Sequence, residues 1–343
     1  MDQERRGFLK GAGVAGAAVI AGGASLAVPV ESRAAGAGTG AKPGGDMVMP
    51  KGLTLVTFAS GGSYGLGVKT ERGILDVRAA AKQMKRAVPT TIDELIRGGD
   101  HGLTDLVKAA TDKGGNALFV DEKDIEFGPC VTSPEKIVCV GLNYAKHARE
   151  TNNPIPKLPI LFNKFNNALN HHNGTVRVSA VPATNFDYES ELVIVIGKRA
   201  QNVSEAAALS YVFGYCNGND FTARDLQQRS SQWMIGKTFD GSGLLGPYLV
   251  TADQIEPNTL KIEGTVNGEV RQSSSTADMV FNCAQIISYT SKLMTLEPGD
   301  IIYTGTPEGV ITGYPKEKQV WLKPGDKLTT TIEKLGTLRF SLT

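Results

Sequence analysis

Two glutamates spaced two residues apart are the first residues whose types and spacing could do chemistry. Glu189 and Glu191 lie in the otherwise apolar run 187–197. Residues i and i+2 of a strand point to the same face, so the two carboxylates would stand roughly 7 Å apart. On so apolar a strand they would repel one another unless a cation neutralised them, which predicts a site for a hard divalent ion. The alternative is a solvated strand end that carries two exposed acids.

A third acid, Asp220, lies at a polar corner between a predicted strand and a predicted helix. Arg224 and Gln227 follow at positions +4 and +7, where they line one face if the helical turn begins early. Thr222 and Asp225 form a capping pattern, which explains those two residues but not the guanidinium and the amide. A carboxylate, a guanidinium and an amide that converge could hold a metal together with a carboxylate-bearing, oxygen-rich ligand.

The third candidate cluster is a histidine with an acid three residues later. His147 and Glu150 fall on a short predicted helix that follows the strand 136–140. At this spacing the carboxylate can hold the imidazole and raise its basicity, so the pair can abstract a proton from water. The alternative is a surface pair of the kind that is frequent on helices.

The composition is that of an ordinary globular protein. In 343 residues, 36 Lys and Arg against 35 Asp and Glu leave a net charge of +1, and 41% of the residues are hydrophobic. Nucleic-acid binders need a clustered basic excess to neutralise phosphates, so no nucleic-acid partner is predicted. The four cysteines show no CxxC pair and no histidine at zinc-ligand spacing. We expect them to be small buried hydrophobic residues, although disulfide pairing remains possible.

The N-terminal 50 residues predict a signal and a linker. Arg5 and Arg6 precede an uncharged stretch, 11–30, which is rich in alanine and glycine. This layout is typical of a twin-arginine signal peptide, assigned here to 1–35, and the stretch is too weakly apolar for a stable membrane anchor. We expect the twin-arginine export machinery to deliver the protein to the periplasm or the medium. Residues 36–50, rich in glycine and proline, predict a flexible linker.

Two folded segments follow the linker. Residues 51–128 predict a small α+β N-terminal domain, with a strand hairpin and three helices. Residues 129–343 are rich in strands, and Asn267-Gly268 is a type I′ hairpin signal. Together they predict an α+β fold in which a mainly antiparallel, mixed β-roll or β-barrel follows the small domain. Helices are predicted within this second segment at 144–150, 224–233 and 279–294.

Four runs resemble the motifs of the fumarylacetoacetate hydrolase family and occur in that family's order. They are Val-Gly-Leu-Asn-Tyr-Ala-Lys-His at 140–147, Asp-Tyr-Glu-Ser-Glu-Leu at 187–192, Asn-Asp-Phe-Thr-Ala-Arg-Asp-Leu-Gln at 219–227 and Ile-Tyr-Thr-Gly-Thr-Pro-Glu-Gly-Val at 302–310. The resemblance covers 136–342 and implies a fumarylacetoacetase C-terminal-like catalytic domain and usually a homodimer. It also implies Mg²⁺, Mn²⁺ or Ca²⁺ held by Glu189, Glu191 and Asp220.

The resemblance also assigns a role to each remaining candidate. It implies His147 as general base with Glu150 as its orienting acid, Lys237 beside the metal, Arg224, Gln227 and Tyr144 at the substrate, and Thr306 in the loop that holds the substrate carboxylate. The implied substrates chelate the metal through a 2-oxo acid or diketone unit, as acylpyruvates and other products of aromatic catabolism do.

The implied reaction is hydrolysis of a C–C bond through a metal-stabilised enolate. The same enolate would give isomerisation or tautomerisation of related 2-hydroxymuconate-type catabolites if water is excluded. If the leaving carbon is CO₂, the result is decarboxylation. An exported binding protein with this fold and no turnover is the remaining alternative.

Overall fold

The computed structural model describes residues 47–60 and 62–343. The predicted signal peptide, 1–35, and most of the predicted linker, 36–50, lie outside the described residues. None of the helices within the described ranges has both the length and the apolar character needed to cross a membrane. The four cysteines are buried and have free thiols, as expected for small hydrophobic side chains.

The described residues form eighteen strands. These are β1 (Thr54–Ser60), β2 (Ser63–Thr70), β3 (Gly73–Asp76), β4 (Phe119–Val120), β5 (Ile137–Gly141), β6 (Ile160–Lys164), β7 (Leu169–His171), β8 (Gly174–Val176), β9 (Phe186–Asp187), β10 (Ser190–Ile196), β11 (Val212–Asp220), β12 (Thr222–Ala223), β13 (Gly243–Thr251), β14 (Lys261–Val266), β15 (Glu269–Ser275), β16 (Ile301–Tyr303), β17 (Lys327–Ile332) and β18 (Gly336–Leu342).

Eight α-helices lie between these strands. They are α1 (Val77–Met84), α2 (Ile92–Gly98), α3 (Leu103–Lys113), α4 (Ala145–Glu150), α5 (Glu205–Ala208), α6 (Arg224–Gln227), α7 (Met234–Lys237) and α8 (Cys283–Leu293).

Most of the strands belong to one eleven-stranded sheet. Its order is β4-β3-β2-β1-β13-β11-β10-β16-β5-β6, with β7 paired to β13. The hairpin β1–β2 therefore joins the strands of the C-terminal segment, since β1 runs antiparallel to β13 with Thr54 opposite Val250. The described residues belong to one compact unit. The division of the chain at residue 128 stays a prediction from the sequence.

A second sheet, of order β15-β14-β17-β18-β8, and the short pair β12–β9 complete the fold. Antiparallel pairs dominate, and parallel pairs join β7 to β13, β16 to β5 and β18 to β8. Among the described strands neither large sheet closes into a barrel. The predicted α+β class with mixed, mainly antiparallel sheets is confirmed.

Strand β10 lies at the centre of the core. All seven of its residues are buried, because Val193 and Val195 pack into one hydrophobic cluster while Leu192, Ile194 and Ile196 pack into another. A strand covered on both faces is apolar at every position, which explains the run that follows Glu191. This fully packed strand gives the two glutamates at its start a rigid support.

Several local signals behave as predicted. Thr91 and Glu94 form a capping box at the start of α2. Asn267 and Gly268 both have positive φ, 51° and 85°, as a type I′ turn between β14 and β15 requires. Helix α8 begins four residues later than predicted, because Asn282 caps it through a capping box with Gln285.

The predicted helix 224–233 is wrong. The chain instead forms two single-turn helices, α6 and α7, that pack against each other. A Cβ placed on Gly236 of α7 would lie 2.5 Å from the backbone nitrogen of Gln227 in α6, so the two turns touch through their backbones. A continuous helix could not bring these residues together.

The predicted Thr222 and Asp225 cap is also wrong. The residue at the cap of α6 is Ala223, which makes no side-chain cap. The Thr222 hydroxyl donates to the Asp220 carbonyl at 2.7 Å, and the Asp225 carboxylate accepts from the Thr184 N–H at 3.0 Å. Both side chains are already used by neighbouring segments of the site wall, so neither can cap the turn.

Candidate active site

The three acids suggested by the sequence meet in one buried cluster. Glu189 precedes β10, Glu191 lies on β10, and Asp220 ends the neighbouring strand β11. Antiparallel pairing of β10 with β11 places Glu191 opposite Gly218 and brings the strand ends together. One carboxylate oxygen from each residue lies within 4.8 Å of the others, and all three residues are at most 5% exposed. The interpretation as a solvated strand end is therefore wrong.

Two buried lysines contact this cluster. The Lys237 ammonium donates to Glu189 Oε2 at 2.6 Å and to Asp220 Oδ2 at 3.0 Å. The Lys164 ammonium donates to Asp220 Oδ1 at 2.6 Å and to the Lys237 carbonyl. Burial disfavours the charged form of Lys237, but the Asp220 and Glu189 carboxylates outweigh that effect and raise its pKa. Lys237 therefore stays an ammonium and fixes two of the three acids.

Arg224 ties the cluster to a second acid. Its Nε donates to Asp187 Oδ2 at 2.8 Å, its Nη2 lies 2.8 Å from Glu189 Oε1, and its Nη1 donates to Gln227 Oε1 at 3.1 Å. Burial opposes ionisation of Glu189, yet the charges of Lys237 and Arg224 outweigh it and lower its pKa to about 2. Arg224 and Gln227 meet as predicted, since α6 begins at Arg224.

Glu191 lacks the cation that its two partners have. Among the described residues no ammonium or guanidinium pairs with it, and its carboxylate accepts the Gly305 N–H at 2.7 Å. Burial, followed by the negative charges of Asp220 and Glu189, raises its pKa well above the usual range. A divalent cation would relieve that repulsion, and three carboxylates are the hard oxygen donors that Mg²⁺, Mn²⁺ and Ca²⁺ prefer. The residues present therefore fit such an ion.

His147 and Glu150 form a hydrogen-bonded pair beside the cluster. His147, on α4, is only 5% exposed, and its Nδ1 lies 2.9 Å from Glu150 Oε1. Glu150 Oε2 accepts the Gly309 N–H at 2.9 Å, which fixes the acid from the other side. Since a carboxylate accepts, we assign the imidazole proton to Nδ1, which leaves Nε2 free to take a proton. The interpretation as an exposed surface pair is wrong.

One cavity of about 860 Å³ joins these groups. Its wall includes Glu189, Glu191, His147, Glu150 and Lys237, and it also includes Arg224, Gln227 and Thr306. The metal-binding acids, the proton-accepting imidazole and the predicted substrate contacts therefore face the same space.

Two other predicted residues sit differently. The Thr306 hydroxyl lines the cavity but donates to the Ser190 carbonyl at 3.0 Å and accepts from Gln272 at 2.8 Å. Tyr144 is fully buried, its hydroxyl has no partner among the described residues, and it is not part of the cavity wall. The proposed substrate contact of Tyr144 stays a prediction.

Sequence reasoning missed Lys164 and Asp187. Asp187 accepts the Ile311 N–H at 2.8 Å and the Thr312 N–H at 3.0 Å in addition to Arg224. It thus anchors the loop that forms one cavity wall. A signal existed, because Asp187, Glu189 and Glu191 alternate along the chain. Lys164 had a weaker one, a lone lysine that ends the apolar strand β6.

Comparison with known proteins gives the same family and several catalysts. Residues 136–343 match the family described as fumarylacetoacetate (FAA) hydrolase C-terminal. The chain is 38% identical over 295 residues to oxaloacetate tautomerase FAHD2A, mitochondrial, of Bos taurus, which covers 84% of this chain and 91% of that protein. It is 39% identical over 298 residues to oxaloacetate tautomerase YisK of Bacillus subtilis, which covers 82% and 98%.

A solved structure supplies a ligand-bound relative. The fumarylpyruvate hydrolase of Pseudomonas aeruginosa, in complex with Mn²⁺ and pyruvate, superimposes with a TM-score of 0.55 at 34% identity, which covers 62% of this chain and 91% of that one.

Proposed function

Because this chain belongs to the fumarylacetoacetate hydrolase family, we propose that it is a divalent-metal-dependent tautomerase that interconverts the keto and enol forms of a short 2-oxo acid such as oxaloacetate. The observation that carries the proposal is a buried three-carboxylate cluster and a His147–Glu150 pair on one cavity. The two relatives described as oxaloacetate tautomerases support this choice among the outcomes open to an enolate.

The proton transfer is the task of His147. With Nδ1 held by Glu150, Nε2 takes a proton from C3 of the keto acid; the C3–H electron pair becomes the C2=C3 bond, and the carbonyl electron pair moves onto oxygen. A proton delivered to that oxygen completes the enol, and the reverse sequence restores the ketone. Glu150 stabilises the imidazolium formed in between, as the acid of a catalytic dyad does.

Charge is managed by the groups around the acids. A divalent ion held by Glu189, Glu191 and Asp220 would polarise the 2-oxo group as a Lewis acid. The Lys237 ammonium stands next to the same site and stabilises negative charge on the substrate oxygen. Arg224, fixed by Asp187, and Gln227 supply donors for the substrate carboxylate.

The test is to add the purified protein to oxaloacetate with Mg²⁺ or Mn²⁺ and to follow the ultraviolet absorbance of the enol. We expect keto–enol exchange faster than the spontaneous rate, without release of pyruvate or CO₂. Release of CO₂ with pyruvate would indicate a decarboxylase instead. Binding without any exchange would indicate a binding protein and would overturn the proposal.

Hydrolysis of a C–C bond remains the second candidate. The observation that favours it is the likeness to a fumarylpyruvate hydrolase in complex with Mn²⁺ and pyruvate. In that reaction His147 would deprotonate water, and the water would attack the carbonyl beyond the enolate carbon. Acylpyruvates, incubated under the same conditions, would then release pyruvate and a second carboxylic acid.

We also propose export by the twin-arginine route, based on Arg5 and Arg6 ahead of an uncharged stretch. Replacing both with lysine keeps the charge but removes the motif, so we expect the full-length protein to stay in the cytoplasm with its activity retained. Cell fractionation and activity assays of both fractions measure this. Folded, active variant outside the cytoplasm would contradict the proposal.

We propose that the protein is a homodimer formed through β6, the last strand of the large sheet. An open sheet edge invites pairing with a second chain, and the side chains of Leu158, Ile160 and Phe165 beside it are 61%, 36% and 52% exposed. Ile160→Lys should shift the protein to a monomer by light scattering. Val270→Lys, on the exposed strand β15, is the matched control and should stay dimeric.

A further inference from the structure

The cavity is much larger than a four-carbon keto acid needs. Oxaloacetate has nine heavy atoms, and at the roughly 30 Å³ that one water occupies in the liquid, nine such atoms fill less than about 270 Å³. The cavity measures about 860 Å³. Most of it therefore lies beyond the carboxylate cluster and the His147–Glu150 pair.

An aromatic wall leads from the carboxylate cluster into this extra space. The Lys237 ammonium, which contacts Glu189, lies 5.3 Å from the centre of the Phe162 ring. Phe162 in turn meets Trp233 edge to face, with ring centres 5.4 Å apart and planes at 76°. Both rings line the cavity and are half-buried, so each has an apolar surface that is open to a ligand.

The position of Trp233 is fixed by a glycine. A Cβ on Gly141, at the end of β5, would lie 2.3 Å from Trp233 Cζ3 and 2.9 Å from Cη2, so the indole packs directly on the backbone there. The chain contains two tryptophans, and the second, Trp321, also lines the cavity. A ring held this firmly binds a ligand with little loss of side-chain entropy.

The outer wall offers few charges for a second carboxylate. Of the lysines and arginines that line the cavity, Lys237 and Arg224 are already paired with buried acids, and Lys316 is exposed at its edge. The other outer groups include neutral amides such as Asn152, Asn153 and Gln228. Rings and amides fit an uncharged planar group better than an anion.

We propose that the Phe162–Trp233 wall binds an aryl group on C3 of the substrate, so that the preferred substrates are aryl-substituted 2-oxo acids. This inference rests on the proposed tautomerase function, because the 2-oxo acid end is held at the carboxylate cluster and His147 removes the C3 proton. The aryl group, attached to that same C3, then packs against Phe162 and Trp233.

The test compares phenylpyruvate with pyruvate, which differs from it by the phenyl group alone. We expect a KM for phenylpyruvate at least about tenfold lower, because the ring buries apolar surface and stacks on the wall. Trp233→Ala should remove that difference by raising the KM for phenylpyruvate about tenfold, with kcat and the oxaloacetate rate little changed. Trp233→Phe should restore most of it. Tyr64→Ala, which removes an exposed ring outside the cavity, is the control.

A binding measurement separates this inference from the proposed function. Calorimetric titration with 3-phenyllactate and with lactate, both unreactive here, in the presence of Mn²⁺ should show tighter binding of the aryl compound, lost in Trp233→Ala. If oxaloacetate is tautomerised but both probes bind equally, the aryl inference fails and the proposed function stands. If no substrate is tautomerised, the proposed function fails, and the ratio of the two dissociation constants alone decides on the aryl subsite.

Discussion

Replacing Glu191 with glutamine should lower turnover by about 10³-fold, because polarisation of a carbonyl by a bound ion is worth several kcal/mol and each 1.36 kcal/mol is tenfold in rate. Glutamine keeps the shape of the side chain and an oxygen that can accept the Gly305 N–H. It removes the negative charge that makes the cluster attract a divalent cation. Activity of the parent should likewise vanish in excess chelator and return with Mg²⁺ or Mn²⁺.

Thermal melting supplies a readout that does not depend on activity. A ligand that binds the folded state raises the melting temperature, so Mn²⁺ should stabilise the chelator-treated parent and have little effect on Glu191→Gln. Without metal the variant should be at least as stable as the parent, since it no longer buries a third carboxylate beside Glu189 and Asp220. Glu263→Gln, on the exposed side of β14, is the matched control and should behave as the parent.

Full activity in excess chelator would contradict the metal site. A Glu191→Gln variant that is activated by metal like the parent would do the same. Either result would leave His147 and Lys237 as the groups that must stabilise the enolate without an ion.

The acids could be predicted because their spacing and surroundings are local. Glu189 and Glu191 share a strand face whatever the rest of the fold does, and the apolar residues after them already imply burial. The position of Asp220 required pairing of β10 with β11, which the antiparallel pattern of the chain favours. His147 and Glu150 likewise lie one helical turn apart.

What sequence reasoning could not supply depends on contacts between distant segments. Lys164 reaches Asp220 from a strand at the far end of the large sheet, and no local pattern pairs the two. The break between α6 and α7 follows from the close approach of Gly236 to the Gln227 backbone. A propensity argument sees neither, because both exist only after the sheets have packed.

The same limit explains the part played by Asp187. Its alternation with the glutamates was visible, but its partners are the backbone of residues 311 and 312 and the side chain of Arg224. Those partners lie 124 residues downstream for Ile311 and 37 for Arg224. A buried carboxylate that holds a guanidinium and a loop together reads in the sequence as one more acid beside the metal ligands.

The second large effect is expected at His147. His147→Ala should lower turnover by about 10²–10⁴-fold, the usual range for loss of a general base, because no other imidazole lines the cavity among the described residues. Metal-dependent stabilisation should survive, since the ligand set contains no imidazole. This pattern, loss of rate with metal binding intact, is the reverse of the coupled loss expected for Glu191→Gln.

Glu150→Gln tests whether the imidazole must be oriented and not only present. The amide oxygen can still accept one N–H, from Gly309 or from His147, but the charge that stabilises an imidazolium is gone. We therefore expect a smaller loss than in His147→Ala, and added imidazole should rescue only the histidine variant. His101→Asn, at an exposed position whose φ of 39° asparagine tolerates, is the control. Unchanged turnover in His147→Ala would mean that the C3 proton leaves by another route, and the enolate would then have to be formed by solvent alone.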